Sequence, residues 1–200
     1  MNAPIRYLIT EGRSTPENFQ QKISEILNIV KAAVDAGISM IQIREKEISA
    51  KQLFELTAAA AAITSSSSTK LLVNGRFDIS RIAGAEGVHL PENGIPVPRV
   101  RRTMPKPFLI GASVHSPENA KRVWEHGADF IVFGPVFETP GKRANGIESL
   151  EEICSDLEGF PVIAVGGVNE TNYQRVLDAG AAGYAAIRFL NDLNVLKTLR

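Results

Sequence analysis

Eight short apolar runs alternate along the chain with segments in which apolar residues recur at helical spacing. Most of the runs are apolar at nearly every position, which is typical of strands covered by protein on both faces. The predicted strands are Arg6–Thr10, Met40–Arg44, Leu71–Asn74, Gly87–Leu90, Phe108–Ser113, Phe130–Gly134, Val162–Gly166 and Gly183–Arg188. The helical segments between them include Pro16–Ala36, Ala50–Ile63, Pro117–His126 and Asn169–Ala179. Strands that alternate with helices in this way predict a parallel sheet.

A repeated glycine marks every second predicted strand. Gly37, Gly84, Gly127 and Gly180 each follow a helical segment and precede a small or apolar residue. Glycine suits the left-handed residue that ends a helix. A repeat of about two strand–helix units favours a closed barrel over an open doubly wound sheet. We therefore predict an α/β fold, a (β/α)8 TIM barrel, as a single domain over residues 1–200.

Composition and charge narrow the range of partners. The 22 basic and 22 acidic residues give a net charge of zero, so there is no sign of the basic face expected for nucleic-acid binding. No run approaches the roughly 18 apolar residues of a membrane span, and the N-terminus lacks the form of a signal peptide. The single cysteine fits a reducing compartment. We expect a cytoplasmic protein that binds a small molecule, neither nucleic acid nor membrane, and we leave homodimerisation open.

The end of the second predicted strand is rich in polar residues. In a barrel of this kind, functional residues cluster where strands end and loops begin. Alternation puts Gln42, Arg44 and Lys46 on one side of the strand. An amide, a guanidinium and an ammonium group together suit an anionic ligand. The alternative is a set of salt bridges with neighbours such as Glu45 and Glu47.

The next three strands also end in polar residues. Asn74 and Arg76 are separated by a glycine that is typical of a turn. His89 lies inside the apolar fourth strand, where a core role and a catalytic role are both open. Ser113 and His115 follow at the end of the fifth strand. A hydroxyl can bind an anion, and a second histidine near a strand end makes proton transfer at neutral pH more plausible.

The loop after the sixth strand and a glycine pair after the seventh complete the candidates. The loop carries Glu138, Thr139 and Lys142, and its length makes it a candidate lid. Gly166 and Gly167 precede a predicted helix, where backbone N–H groups can approach a phosphate closely. Loops in this part of a barrel commonly hold phosphate. A packing role for the two glycines is the alternative.

Seven segments of the chain form a recognisable series. They are Gln42-Ile-Arg-Glu-Lys46, Asn74-x-Arg76, Gly87-Val-His-Leu90, Ile110-Gly-x-Ser113, Gly134-Pro-Val-Phe137, Lys142 and Ala164-Val-Gly-Gly167. In this order they resemble the thiamine phosphate synthase/TenI family over nearly the whole chain. A synthase of this family joins a pyrimidine diphosphate to a thiazole phosphate and releases pyrophosphate.

The resemblance assigns ligands to most of the candidate residues. It implies that the pyrimidine diphosphate is held by Gln42, Arg44, Lys46, Asn74, Ser113 and Lys142. It also implies that Gly166 and Gly167 hold the thiazole phosphate. The three cationic side chains of this set agree with the assignment, because cations suit a diphosphate whose negative charge grows as it leaves.

Several positions depart from the synthase pattern. Synthases carry two Mg²⁺-binding aspartates, but the first position is Gly75 here and the second aligns with about Gly94, with Glu92 nearby. Arg188 replaces the serine that usually meets the phosphate after strand eight, and it is our third phosphate-binding candidate. TenI-type members aromatise a carboxythiazole phosphate tautomer without metal. The histidine important for that step in TenI is Pro135 here.

These departures favour the TenI branch. We predict a metal-independent thiazole phosphate tautomerase of thiamine biosynthesis, an isomerase without cofactor in which His115, His89 or Glu138 moves the proton. The first alternative is a thiamine phosphate synthase, a transferase that would place Mg²⁺ through Glu92 and Asp78. The second alternative is a non-catalytic binding or regulatory protein for thiamine-related phosphates. The expected partner is a small phosphorylated thiazole or pyrimidine in each case.

Overall fold

The computed structural model describes residues 3–199 and confirms the predicted (β/α)8 barrel. Eight parallel strands form one closed barrel in sequence order, and a helix follows each strand. The strands are β1 Ile5–Ile9, β2 Met40–Ile43, β3 Lys70–Asn74, β4 Gly87–Leu90, β5 Leu109–Val114, β6 Phe130–Phe133, β7 Val162–Val165 and β8 Gly183–Ala186. The helices are α1 Phe19–Asp35, α2 Ala50–Thr64, α3 Phe77–Ile82, α4 Val97–Thr103, α5 Pro117–Glu125, α6 Ile147–Asp156, α7 Tyr173–Asp178 and α8 Leu193–Thr198. Within residues 3–199, no helix is long and apolar enough to cross a membrane.

The internal contacts of the chain group into two compact units. The N-terminal unit consists of Tyr7–Val88 and the residues from Ile187 onward. The C-terminal unit consists of His89–Ala186 and the residues up to Arg6. The single domain over the whole length therefore stays a prediction.

The core of the N-terminal unit is built on the pairing of its first three strands. Parallel register places Leu8 beside Ile41 and Ile41 beside Leu71, and all three side chains are fully buried. Helix α2 begins with a reciprocal cap in which the Ser49 side chain accepts from the Gln52 backbone N–H and the Gln52 side chain accepts from that of Ser49. The cap satisfies N–H groups that a helix start otherwise leaves without partners.

The C-terminal unit pairs β5 to β8 in sequence. Gly111 on β5 lies beside Phe130 on β6, where an added Cβ would come within 2.2 Å of the phenyl ring. Glycine therefore leaves room for an aromatic side chain in the core. Helix α5 begins at Pro117, and Ser116 caps it by accepting from the Asn119 N–H at 3.3 Å.

The repeated glycines end helices as predicted. Gly37, Gly84, Gly127 and Gly180 have φ values of 65°, 82°, 88° and 90°. This left-handed backbone is unfavourable for residues with a Cβ. Each glycine follows the end of a helix and precedes an even-numbered strand, β2, β4, β6 or β8.

Several element boundaries differ from the predicted ones, and the differences at β8 and α7 bear on the candidate site. Strand β8 ends at Ala186, so Arg188 lies in an exposed turn beyond it. Helix α7 begins at Tyr173 and not at Asn169. The Asn169 N–H donates to the Asn172 side chain at 2.8 Å, and this local bond competes with helical hydrogen bonding.

An ion pair between Arg101 and Asp129 joins α4 to two strand starts. Its side chains are only 18% and 14% exposed. Asp129 Oδ2 accepts from Arg101 Nη2 at 2.5 Å and from the Ile110 N–H at 2.7 Å. The guanidinium also donates to the carbonyls of Phe108 and Gly127, which precede β5 and β6. The pair thus holds backbone that leads into both strands.

We expect Asp129→Asn to lower the free energy of unfolding by roughly 2–3 kcal/mol, because it leaves a largely buried guanidinium without its counter-charge. Urea unfolding of the purified variant measures this change. Lys106→Gln is the matched control, because Lys106 lies 3.7 Å from the same carboxylate but is 79% exposed. The control should stay within about 0.5 kcal/mol of the parent, and equal stability of Asp129→Asn would contradict the assigned role.

Candidate functional site

The end of β2 holds its three predicted ligand residues in different surroundings. Gln42 is buried, and its Nε2 donates a hydrogen bond of 2.9 Å to the Tyr7 hydroxyl. Burial raises the pKa of Tyr7 and outweighs the opposite effect of this hydrogen bond, so the phenol stays neutral. Arg44 is partly exposed and Lys46 is exposed. The two cations are therefore more accessible to a ligand than the amide of Gln42.

The carboxylate of Glu45 accepts hydrogen bonds from the loop between β1 and α1. It accepts from the Thr10 hydroxyl at 2.7 Å, from the Gly12 N–H at 3.2 Å and from the Ser14 N–H at 2.9 Å. Glu45 is only 5% exposed. Glu45 is therefore bound mainly by this loop. The salt bridges that were the alternative for this strand end are not its main contacts.

Arg76, two residues beyond β3, binds a carboxylate in the first turn of helix α3. Its Nε and Nη2 donate to Asp78 at 2.9 and 2.6 Å. These hydrogen bonds hold the pKa of the Asp78 carboxyl below its usual range. Asn74 ends the strand and is partly exposed. The substrate-binding roles of Asn74 and Arg76 stay predictions.

His89 on β4 and Ser113 on β5 form a hydrogen-bonded pair. His89 Nε2 lies 2.8 Å from Ser113 Oγ. His89 is 4% exposed, whereas Ser113 is partly exposed. A hydroxyl both donates and accepts, so this pair can pass a proton in either direction. The sequence left both a core role and a catalytic role open for His89. In the structure its ring has a polar partner near the end of β5.

His115 connects three successive strand-to-helix loops of the C-terminal unit. Its N–H donates to Glu92 Oε1 at 3.3 Å, and its Nε2 lies 3.8 Å from Glu92 Oε2. Its Nδ1 hydrogen-bonds to the Gly134 carbonyl, and its own carbonyl accepts from the Asn145 side chain at 3.4 Å. Glu92 also accepts from the Asn119 side chain. Both ring nitrogens of His115 thus face oxygen acceptors of the protein.

A cavity of about 230 Å³ lies beside Ser113. Its walls come from the end of β4 and the loop after it, including Leu90 and Ile95, and from helix α5, including Asn119 and Arg122. Pockets for drug-sized ligands are roughly 300–1,000 Å³, so this cavity suits only a small group.

The loop after β6 carries three more predicted residues on a tight turn. Thr139 and Lys142 exchange backbone hydrogen bonds of 3.3 and 3.0 Å. Pro140 and Gly141 lie between them, and Gly141 has a φ of 76°, as the third residue of a type II turn requires. Glu138 and Lys142 are exposed and Thr139 is partly exposed. The turn presents the carboxylate and the ammonium group to solvent.

Gly166 and Gly167 lie directly against this loop. An added Cβ would come within 2.4 Å of Pro135 Cβ at Gly166 and within 2.7 Å of Phe137 Cβ at Gly167. The Phe137 N–H donates to the Gly166 carbonyl at 3.0 Å. The guanidinium of Arg175 stacks on the Phe137 ring at 5.2 Å. The glycines therefore have the packing role that the sequence left open, and phosphate binding stays a prediction.

The carboxylates near the expected metal positions have other partners. Gly75 has no carboxylate, Asp78 is bound by Arg76, and Glu92 accepts a hydrogen bond from Asn119. Among residues 3–199, no group of three or more His, Cys, Asp or Glu side chains is arranged to hold a metal ion. Mg²⁺ requires near-octahedral oxygen ligation, often with one or two carboxylates. These residues do not fit a Mg²⁺ ion.

Four residues whose side chains shape these strand ends were not predicted. They are Tyr7, Thr10, Asn119 and Asn145, which contact Gln42, Glu45, Glu92 and His115. Each contact joins residues that are far apart in the sequence. Only Thr10 offered a signal, because it is a polar residue at the end of an apolar strand.

A closed (β/α)8 barrel with cations, hydroxyls and histidines at its strand ends defines the chain as a barrel enzyme. The family model described as thiamine monophosphate synthase matches residues 7–190. The chain belongs to this family of thiamine-biosynthesis enzymes.

Individual relatives agree with this assignment. The chain is 40% identical over 185 residues to the "Putative thiamine-phosphate synthase" of Geobacter sulfurreducens, covering 90% of this chain and 84% of that protein. It is 36% identical over 172 residues to the thiamine-phosphate synthase of Caldanaerobacter subterraneus, covering 84% and 80%. The solved thiamine phosphate pyrophosphorylase of Pyrococcus furiosus superposes with a TM-score of 0.84 at 28% identity, covering 98% of this chain and 91% of that one.

We expect Gly167→Ala to lower stability by roughly 2–4 kcal/mol and to displace the loop after β6, because the new methyl group would overlap Phe137 on an unfavourable backbone. Limited trypsin digestion should then cut faster after Lys142 and Arg143, which are both exposed.

Gly159→Ala is the matched control. Gly159 has a φ of 80° with nothing near its Cβ position, so only the backbone cost of about 1 kcal/mol should appear. Unchanged cleavage at the loop in Gly167→Ala would show that this glycine does not support the loop.

Proposed function

We propose that the protein is a TenI-like thiazole phosphate tautomerase that works without metal. One observation carries the proposal: each carboxylate at or near the two metal positions is already hydrogen-bonded to another group of the protein. Gly75 has no side chain, and Asp78 and Glu92 are hydrogen-bonded to Arg76 and Asn119. A tautomerisation moves a proton between two atoms of one molecule and has no leaving group, so it does not need a metal to stabilise departing charge.

The proton is moved by His89 through the hydroxyl of Ser113. The hydroxyl contacts the substrate, and the imidazole behind it takes up or returns the proton across their 2.8 Å hydrogen bond. Of the other predicted bases, Glu138 is exposed on a turn, and both ring nitrogens of His115 face protein acceptors. His89 is therefore favoured over the other two.

The phosphate of the substrate binds at the end of β7. Gly166 and Gly167 bring backbone close to this position without a side chain, which is the property that close phosphate approach requires. Arg188, exposed after β8, keeps its role as a candidate phosphate ligand because a guanidinium can form two parallel hydrogen bonds to phosphate.

A second candidate function is thiamine phosphate synthase. The specific observation in its favour is that Gln42, Arg44 and Lys46 are all present at β2, although a tautomerase has no diphosphate to bind. The relatives compared above also carry synthase or pyrophosphorylase names. Under this candidate alone, Mg²⁺ would be a cofactor.

Product analysis separates the two candidates. The pure protein is incubated with the carboxythiazole phosphate tautomer, and separately with the pyrimidine diphosphate and thiazole phosphate, each with Mg²⁺ or with a chelator. We expect the aromatic thiazole phosphate in both conditions and no pyrophosphate. Mg²⁺-dependent pyrophosphate release would support the synthase instead, and binding without either product would support a non-catalytic role.

We expect His89→Gln and Ser113→Ala each to lower kcat for tautomerisation by about 10²-fold or more, the usual contribution of a positioned proton-transfer group. His115→Ala should lower it less than about tenfold, because the loop connections and not the proton route are lost. Steady-state kinetics on folded variants measures these effects. Full activity in His89→Gln, with loss in His115→Ala, would transfer the proposed role to His115.

A further inference from the structure

Glu45 is a buried carboxylate that the proposed reaction does not use. It is 5% exposed, and its oxygens accept from Thr10 Oγ1 at 2.7 Å, Gly12 N at 3.2 Å and Ser14 N at 2.9 Å. We call these four residues the Glu45 cluster. Burying a carboxylate is unfavourable unless hydrogen bonds replace its water. All three donors come from one loop, so the carboxylate holds that loop against the end of β2.

The position of Glu45 raises an electrostatic difficulty for an anion site. Glu45 is adjacent in sequence to Arg44 and Lys46, which are the cations predicted to bind the substrate. A carboxylate open to the same ligand would repel it. Hydrogen bonds to an ionised acceptor are strong and directional, and here they engage both oxygens with the β1–α1 loop. Both carboxylate oxygens are thus bound by donors of the loop and do not have to pair with the neighbouring cations.

The Glu45 cluster also contacts Arg44 directly. Thr10 Oγ1 donates to Glu45 and accepts from the Arg44 N–H at 2.8 Å. Gly12 has a φ of 73°, and an added Cβ would lie 3.0 Å from the Arg44 carbonyl oxygen and 3.2 Å from Arg44 Nη1. The guanidinium therefore lies next to the backbone of Gly12, whose N–H is bound to Glu45.

We propose that Glu45 is a positioning residue that sets the direction of the Arg44 guanidinium through the β1–α1 loop, so that Arg44 can bind the anionic group of a phosphorylated substrate. Glu45 itself touches no substrate. The proposal goes beyond the proposed function: it rests on the predicted role of Arg44 as an anion ligand, which the synthase candidate requires and which the tautomerase candidate, with its phosphate at the end of β7, does not.

The test compares four variants with the parent protein: Glu45→Gln, Arg44→Gln, the double variant, and Glu47→Gln. Glutamine keeps the shape of Glu45 but places an NH2 group among N–H and O–H donors. Glu47 is exposed and one residue beyond Lys46, so Glu47→Gln removes a nearby charge without touching the loop. Inorganic pyrophosphate is the probe, and calorimetry measures its Kd.

We expect Glu45→Gln to weaken pyrophosphate binding by about tenfold, which corresponds to loss of one well-placed charged contact. Arg44→Gln should weaken it at least as much, and the double variant should be no weaker than Arg44→Gln, because Glu45 acts through Arg44. Glu47→Gln should bind as the parent does. Parent-like binding by Glu45→Gln, additive losses in the double variant, or no Arg44-dependent binding in the parent would each overturn the proposal.

Amide hydrogen exchange provides a readout that does not depend on activity. Exchange at Gly12 and Ser14 should be faster in Glu45→Gln and unchanged in Arg44→Gln, and unchanged exchange in Glu45→Gln would overturn the loop-holding role. If Glu45→Gln does not fold, Thr10→Val replaces it, because this change cuts the link to Arg44 and leaves the Gly12 and Ser14 bonds. Arg44-dependent binding without turnover of any substrate would defeat the proposed function while leaving the role of Glu45 intact.

Discussion

The carboxylates that follow β2, β3 and β4 are each held by hydrogen-bond donors of the protein itself. Glu45 is bound by the β1–α1 loop, Asp78 by Arg76, and Glu92 by Asn119 and the His115 N–H. An ionised carboxylate that leaves water is stabilised by a metal or by hydrogen-bond donors of the protein. In this chain, donors from the protein fill that role.

This arrangement accounts for both the loops and the proposed chemistry. The same hydrogen bonds that hold Glu45 and Glu92 connect the loops after β1, β4 and β5 to their neighbours. The strand ends retain Arg44 and a Ser113–His89 pair, which can bind an anion and move a proton. Neither task needs a metal, which is why we propose a reaction without a leaving group.

The fold could be predicted from the sequence because its signals are local. Apolar runs, helical spacing and four helix-ending glycines each depend on neighbouring residues, and they gave the eight strands and the closed barrel. The contacts of the candidate site were harder to predict from the sequence. Alternation placed Gln42 with Arg44 but could not show that Gln42 turns to buried Tyr7. The partners of Glu45 and His89 lie far away in the sequence, so their hydrogen bonds appear only in the folded chain. The packing of Gly167 against Phe137 is equally non-local.

Calorimetric titration of Mg²⁺ into the protein saturated with thiazole phosphate shows whether these carboxylates, committed to protein donors, leave no Mg²⁺ site. We expect no heat of binding beyond that of Mg²⁺ titrated into thiazole phosphate without protein. We expect the same trace for Asp78→Asn and Glu92→Gln. Binding of one Mg²⁺ per chain that either substitution abolishes would show that these carboxylates do form a metal site.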